Sequence, residues 1–184
     1  MSAAVSRTRE TRETKVSITL ARGTGVAKVA TTEPFLDHML TALARYAQLD
    51  LDVQASGDLK HHLIEDVAIT LGEALLPLTK EPIVRFAYTQ VAMDDALVAA
   101  TLDAGGRTWF EGRVPSTLYA HFFRSLCENA RITLHLEIKR GTDRHHVIEA
   151  AFKALGFTLR AALAPTAEVE STKGAVRVQA GGGC

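Results

Sequence analysis

HHLIEDVAITLGEAL, from His61 to Leu75, lies without a gap on HHVIEAAFKALGFTL, from His145 to Leu159. Seven of the fifteen positions coincide: both histidines, Ile64 with Ile148, Glu65 with Glu149, Leu71 with Leu155, Gly72 with Gly156 and Leu75 with Leu159. The match runs upstream, where DHMLTALARYAQLDLDV lies on AHFFRSLCENARITLHL and pairs His38 with His121, Leu43 with Leu126, Ala47 with Ala130 and Leu51 with Leu134. His38 precedes His61 by 23 residues and His121 precedes His145 by 24, so one inserted residue reconciles the halves. Any two amphipathic helices share some Leu and Ala, but here the coincident polar residues are rare types in the same order. The chain reads as one unit written twice.

Coarse structure repeats with the residues. Residues 36–47 and 117–130 carry apolar side chains at helical spacing, and each run is followed by an alternating strand pattern, LDLDV and ITLHLEI. Turns at Gly57-Asp58 and Gly141-Thr142-Asp143 lead into long helices that open on the paired histidines and end near Pro77 and Pro165. Ahead of each helix pair come strand-like segments. These are a charged N-terminal strand, KVSITLA and GVAKVATT in the first half, and IVRFAYTQVA, ALVAATLD and TWFEGRV in the second. Met93-Asp94-Asp95 and Ala104-Gly105-Gly106 read as hairpin turns between strands. Each half is expected to be about βββαβα, giving an α+β tandem duplication whose sheets are covered on one face by helices. The expected divisions are residues 1–79 and 80–165 for the halves and 166–184 for a C-terminal tail.

The 184 residues are enough for one sizeable core or two small lobes packed together. The 21 basic and 21 acidic side chains cancel, leaving no general positive field to gather nucleic acid or an anionic membrane. No apolar run approaches a bilayer span, and MSAAVSRTRETRETK has no apolar core for secretion, so a cytoplasmic protein is expected. Cys127 and Cys184 give no disulfide framework, and the GGGC end plays no part in the expected fold.

Six of the seven histidines fall on repeat-equivalent positions, and only His135 is left over. With Glu65 and Glu149 they make eight candidate ligands: His38, His61, His62, Glu65, His121, His145, His146 and Glu149. A single HHxxE is as often a solvated helix face, and a single histidine as often a core residue; the duplication is what favours metal. Adjacent helical residues diverge by about 100° around the axis, so neighbouring histidines suit two ions better than one. Nitrogen and oxygen donors without thiolate favour manganese, iron, cobalt or zinc over magnesium and calcium. The pattern is not the HExxH of zinc proteases. From the residues alone, a two-metal phosphate-ester hydrolase and a non-catalytic metal-binding assembly remain open, although six imidazoles are many for the hydrolase.

FLDHML at 35–40, HHLIEDVAITLG at 61–72, MDDAL at 93–97, HFFRSL at 121–126, HHVIEAAFKALG at 145–156 and STKG at 171–174 resemble the signatures of the imidazoleglycerol-phosphate dehydratase family. The resemblance implies a fold like ribosomal protein S5 domain 2. It implies a hydro-lyase of histidine biosynthesis that converts D-erythro-imidazole glycerol phosphate to imidazole acetol phosphate and water through an imidazolate-like state. It further implies two Mn2+ per active site, other divalent transition metals fitting the same donors. The small-molecule phosphate substrate would then be served by a homo-oligomer, a 24-mer with metal sites at subunit interfaces. The family's near-terminal R-x-T-x-E-T falls on Arg9–Thr14 and makes Glu13 the acid/base. Asp94 of MDDAL is matched to the substrate hydroxyls, and Arg85, Arg107, Ser171, Thr172 and Lys173 to the phosphate. The chain departs from the family in a shorter lead-in between Gly57-Asp58 and His61, in Leu63 after the histidines, and in Tyr46. Altered loop shape or altered contacts behind the ligands are expected there, with the chemistry retained.

Overall fold

A computed structural model describes residues 4–167; the predicted substrate residues Ser171, Thr172 and Lys173 lie outside the described residues. The first half runs β1 (Val5–Glu10), β2 (Thr14–Arg22), β3 (Ala27–Ala30), α1 (Pro34–Ala47), β4 (Leu49–Gly57) and α2 (Lys60–Leu75). The second runs β5 (Phe86–Met93), β6 (Ala96–Asp103), β7 (Trp109–Gly112), α3 (Thr117–Ala130), β8 (Thr133–Arg140) and α4 (Arg144–Ala162). Both are βββαβα, as the repeat predicts.

The sheets are ordered β1-β2-β4-β3 and β5-β6-β8-β7. In each, the first three strands are antiparallel and the last pairs in parallel with its neighbour. Met93–Ala96 is the expected hairpin. Ala104-Gly105-Gly106 is not: the chain turns there, with Gly106 at φ 89, but β8 lies between β6 and β7. Strand β7 belongs with the following helix, because Phe110 stacks on Phe123 of α3 with ring centroids 5.9 Å apart. The inserted residue of the second half is also accounted for. Val98 pairs with Ile138 but Leu97 with Arg140, so Lys139 is taken up as a bulge, whereas β2 and β4 pair without interruption.

Duplication extends to helix ends. Helices α1 and α3 both stop at a left-handed residue, Gln48 (φ 52) and Arg131 (φ 55), whose N–H donates to Ala44 O and Cys127 O. At the starts the halves differ. Asp143 accepts from the N–H groups of His145 and His146, while Leu59 before α2 supplies no side-chain cap.

Alternation along β2 buries Val16, Ile18 and Leu20 beneath the helices and turns Lys15, Ser17 and their neighbours outward. The helices pair across the halves, α1 against α4 and α2 against α3, each also covering its own sheet. One continuous apolar core therefore spans both halves, with Phe122, Phe123 and Phe152 at its centre. Two repeat-equivalent glycines set how closely the helices approach. A Cβ on Gly72 would lie 2.7 Å from Asn129 Cβ and 2.8 Å from Leu126 O; on Gly156 it would lie 2.9 Å from Tyr46 Cβ and 3.0 Å from Leu43 O.

Candidate metal centre

Gly72 follows His61 by eleven residues, and Gly156 follows His145 by the same number. At about 100° per residue that is three turns and roughly 20°, so glycine and histidine share a face. Where the glycine presses onto the partner helix, the histidine is carried against that helix's own histidine. His145 and Glu149 of α4 meet His38 of α1, and His61 and Glu65 of α2 meet His121 of α3. Each group thus takes ligands from both halves of the chain.

In the first group, Glu149 Oε2 lies 3.2 Å from His38 Nε2 and 3.0 Å from His145 Nε2. One ligand atom from each residue falls within 4.8 Å of the others. Glu149 is buried, and its second oxygen accepts from Lys153 Nζ at 2.9 Å. Burial raises the Glu149 carboxyl, but the bonds from Lys153 and His38 outweigh it and leave the group below the usual glutamate range. The second group is more open. His61 Nε2 is 3.4 Å from Glu65 Oε2, the His61 and His121 rings are 5.7 Å apart, and Glu65 is 41% exposed.

His62 and His146 turn away from these groups toward carboxylates in loops. His62 Nδ1 is 3.0 Å from Asp58 Oδ1 and 3.5 Å from Glu13 Oε2. His146 Nδ1 is 2.8 Å from Asp95 Oδ1, and its Nε2 is 3.4 Å from Asp94 Oδ2. The hydrogen bonds that the two imidazoles donate to Asp58 and Asp95 hold both rings above the ordinary histidine value. Asp95 in turn falls far below the carboxylate range because Thr142 N–H, His146 and Asp143 N–H all donate to it. The eight predicted ligands are therefore brought together as two trios plus two separately held histidines, not as one cluster within a chain.

Glu13 sits in the β1–β2 turn, beside His62. Asp66 clamps the strands on both sides of that turn, accepting from Arg9 Nε at 2.7 Å and from Thr14 Oγ1. Asp94 is in the left-handed region, φ 46, at the matching turn of the second half. Arg85 and Arg107 lie elsewhere. Arg85, at φ 76, makes a two-pronged pair with Asp103 (Nε–Oδ1 2.7 Å, NH2–Oδ2 3.0 Å) and stacks on Phe86. Its N–H donates to Ala162 O at the far end of α4 from His145, and the exposed Arg107 follows in the Gly105–Gly106 loop. Asp58, Asp66, Asp95 and Lys153 were missed by sequence reasoning. Asp95 stands in the MDDAL motif itself, and Lys153 follows Glu149 at a helical i,i+4 step; neither spacing distinguishes these residues from ordinary turn and surface charges.

Imidazole and carboxylate donors gathered this closely, with no thiolate among them, suit a first-row divalent ion. Cys127 is buried away from the site, and burial pushes its thiol well above the usual range.

Two solved structures share this architecture. IGPD from Pyrococcus furiosus, solved with (S)-C348, superposes with a TM-score of 0.82 at 37% identity over 92% of this chain and 100% of that one. The imidazoleglycerol-phosphate dehydratase of Staphylococcus aureus gives 0.80 at 31% identity over 89% and 100%. By fold and by identity the chain groups with these dehydratases, which are hydro-lyases. The family model for imidazoleglycerol-phosphate dehydratase matches residues 31–159. Dehydratases of Methanoculleus marisnigri (44% identical over 187 residues, 91% of this chain and 96% of theirs) and Pyrobaculum calidifontis (43% over 185, 92% and 98%) align nearly end to end. The chain belongs to the imidazoleglycerol-phosphate dehydratase family, whose name places it in histidine biosynthesis.

Proposed function

We propose that the chain dehydrates imidazole glycerol phosphate at a site holding two manganese ions and completed by neighbouring copies of itself. The observation that carries this reading is the trio of His38 and His145 around the buried Glu149, repeated in looser form by His121, His61 and Glu65. Each trio would hold one ion, with His62 and His146 completing the sets across a subunit boundary. When bound, such ions act as Lewis acids toward the substrate's ring nitrogens and favour the negative charge that develops on the ring.

The side chains do the rest. A proton delivered to the hydroxyl on the carbon next to the ring releases it as water, and Glu13 takes the carbon-bound proton from the carbon that follows. The enol left behind takes a proton at the ring-adjacent carbon and becomes the ketone. Asp94, held at its turn beside His146, receives the substrate hydroxyls. Arg85, fixed in plane by Asp103, and Arg107 offer guanidinium forks to the phosphate, together with Ser171, Thr172 and Lys173.

A second copy is needed because Arg85 and His145 lie at opposite ends of α4. Assembly is further supported by Phe86, Tyr88 and Trp109, all about half exposed on the outward face of the second sheet. Among the described residues no helix is long and apolar enough to cross a membrane. The test is to offer the purified protein imidazole glycerol phosphate with manganese and follow imidazole acetol phosphate. Absence of turnover by the manganese-loaded, assembled protein would overturn the reading.

A further inference from the structure

We propose that Asp58 is the positioning residue for His62: its carboxylate holds Nδ1, which leaves Nε2 as the nitrogen His62 offers to metal and releases Glu13 from that duty. The inference rests on the metal-binding reading above and deepens it.

The argument begins with strand register. Val16 pairs with Ala55 and Thr14 with Gly57, while Val98 pairs with Ile138 and Leu97 with Arg140. Counting back along β2 and β6 makes Glu13 and Asp95 equivalent residues of the two hairpins. In the second half the hairpin carboxylate does the holding, since Asp95 Oδ1 lies 2.8 Å from His146 Nδ1. Thr142 keeps it there by donating its N–H at 2.7 Å and its hydroxyl at 2.9 Å.

If the halves were strict copies, Glu13 would hold His62. It approaches Nδ1 only to 3.5 Å and remains 56% exposed. Asp58, the counterpart of Thr142, takes its place at 3.0 Å. The short lead-in makes this possible, because it sets Asp58 one helical turn before His62. Two backbone bonds fix the arrangement: Leu59 N–H donates to Asp58 Oδ1 at 2.6 Å, and Asp58 N–H donates to Glu13 O at 2.9 Å. The aspartate is thus tied to the turn that carries Glu13.

The exchange has a chemical consequence. A carboxylate bonded to an imidazole N–H fixes that ring's tautomer and orientation, and its loss typically costs 10–100-fold in metal affinity, as a rough guide. A carboxylate so engaged is poorly available to move a proton at a substrate carbon. The first half has delegated the holding to Asp58 and kept Glu13 for the proton. The second half has not, so the carboxylate equivalent to Glu13 is engaged with His146.

Glu13, Asp58 and His62 also place donor atoms within 4.8 Å of one another, so the rival reading is that Asp58 is itself a metal ligand. Manganese affinities of the wild-type chain, D58A, D58N and E13Q, measured by chelator competition, separate the two. Asparagine still accepts from Nδ1–H but is a poor cation ligand. The expected result is about a 10–100-fold weaker constant at one of two ions in D58A, near-wild-type constants in D58N, and no change in E13Q. The constant of the other ion reports that the variant is folded. Loss in D58N as large as in D58A, or no loss in D58A, overturns the inference while leaving the dehydratase reading intact. A wild-type chain that binds no manganese removes both. Should alanine unfold the turn, D58N still decides, with retention supporting the inference and loss overturning it.

Discussion

Glu65 and Glu149 occupy one position of the repeat in two environments. Glu149 is 7% exposed and shares its carboxylate with Lys153, while Glu65 is 41% exposed and has Ile69 at the matching step along its helix. Removing Glu149 strands a mostly buried ammonium. In chelator, with metal out of the comparison, Glu149→Ala is expected to lower unfolding free energy by about 2 kcal/mol. Glu65→Ala should stay within about 0.5 kcal/mol. Urea denaturation measures both, and equal losses would show that the Lys153 pair is not the difference. At this scale the sequence is readable where residues are rare: histidines that recur in order point to the eight candidate ligands. It is unreadable where they are common. Nothing in the spacing of Asp58, Asp66 or Asp95 distinguishes an aspartate that holds a histidine or a strand from one that only turns the chain.

At the scale of elements, the glycines of the two histidine helices decide the site's geometry, since they fix how deep each helix lies on its partner. Gly156→Ala forces its methyl against Tyr46 and the Leu43 carbonyl, both at 3.0 Å or less, so α1 and α4 must separate. The expected cost is about 1–3 kcal/mol in the urea midpoint, with weaker manganese binding as His38 draws off Glu149. An unchanged midpoint would mean that the helix pair is compliant there. The loop before β3 offers a pH test. Asp50 accepts from the N–H groups of Val26, Thr24 and Gly25, Val26 foremost, and its carboxyl falls below the ordinary value. A depressed carboxyl stabilises the fold above its unfolded pKa, about 3.9, and that contribution disappears as pH falls through the lower folded value. Asp50→Ala should therefore melt below wild type at pH 7, and the gap should close in acid below the unfolded pKa. A gap that persists there would assign the effect to something other than the charge. The helices and the Met93–Ala96 hairpin were legible because their signals are local, whereas the turn at Ala104-Gly105-Gly106 has the same local signal without the strand pairing. The parallel pairing of β3 and β7 was not legible, because it depends on where α1 and α3 carry the chain after each strand ends.

At the scale of the molecule, two distances bear on the proposal that the site is shared between copies. Arg85 immediately precedes β5 and Asp94 follows it, so the strand's eight residues separate them by roughly 25 Å. Arg85 N–H bonds Ala162 at one end of α4, and His145 stands at the other, again about 25 Å at 1.5 Å per residue. An imidazole carrying a three-carbon phosphate spans neither distance. Sequence reading assigned arginine forks and metal ligands to one substrate; copy number came from the family resemblance alone, since periodicity describes a chain and not its neighbours. The two groups can meet only if they come from different copies. Take Arg85→Ala and His145→Asn, each expected to be inactive alone. Dissociate both in chelator and reassemble them together with manganese. If every site draws Arg85 from one copy and His145 from another, random mixing restores about one quarter of wild-type sites, because each site has an even chance of an intact residue at each position. If both came from the same copy, every chain in the mixture would carry one defect and activity would stay at the level of the separate variants. Ultracentrifugation of the same samples checks the premise: particles that keep their size in chelator would show that metal does not hold the copies together, and the exchange would then have to be driven by denaturant instead.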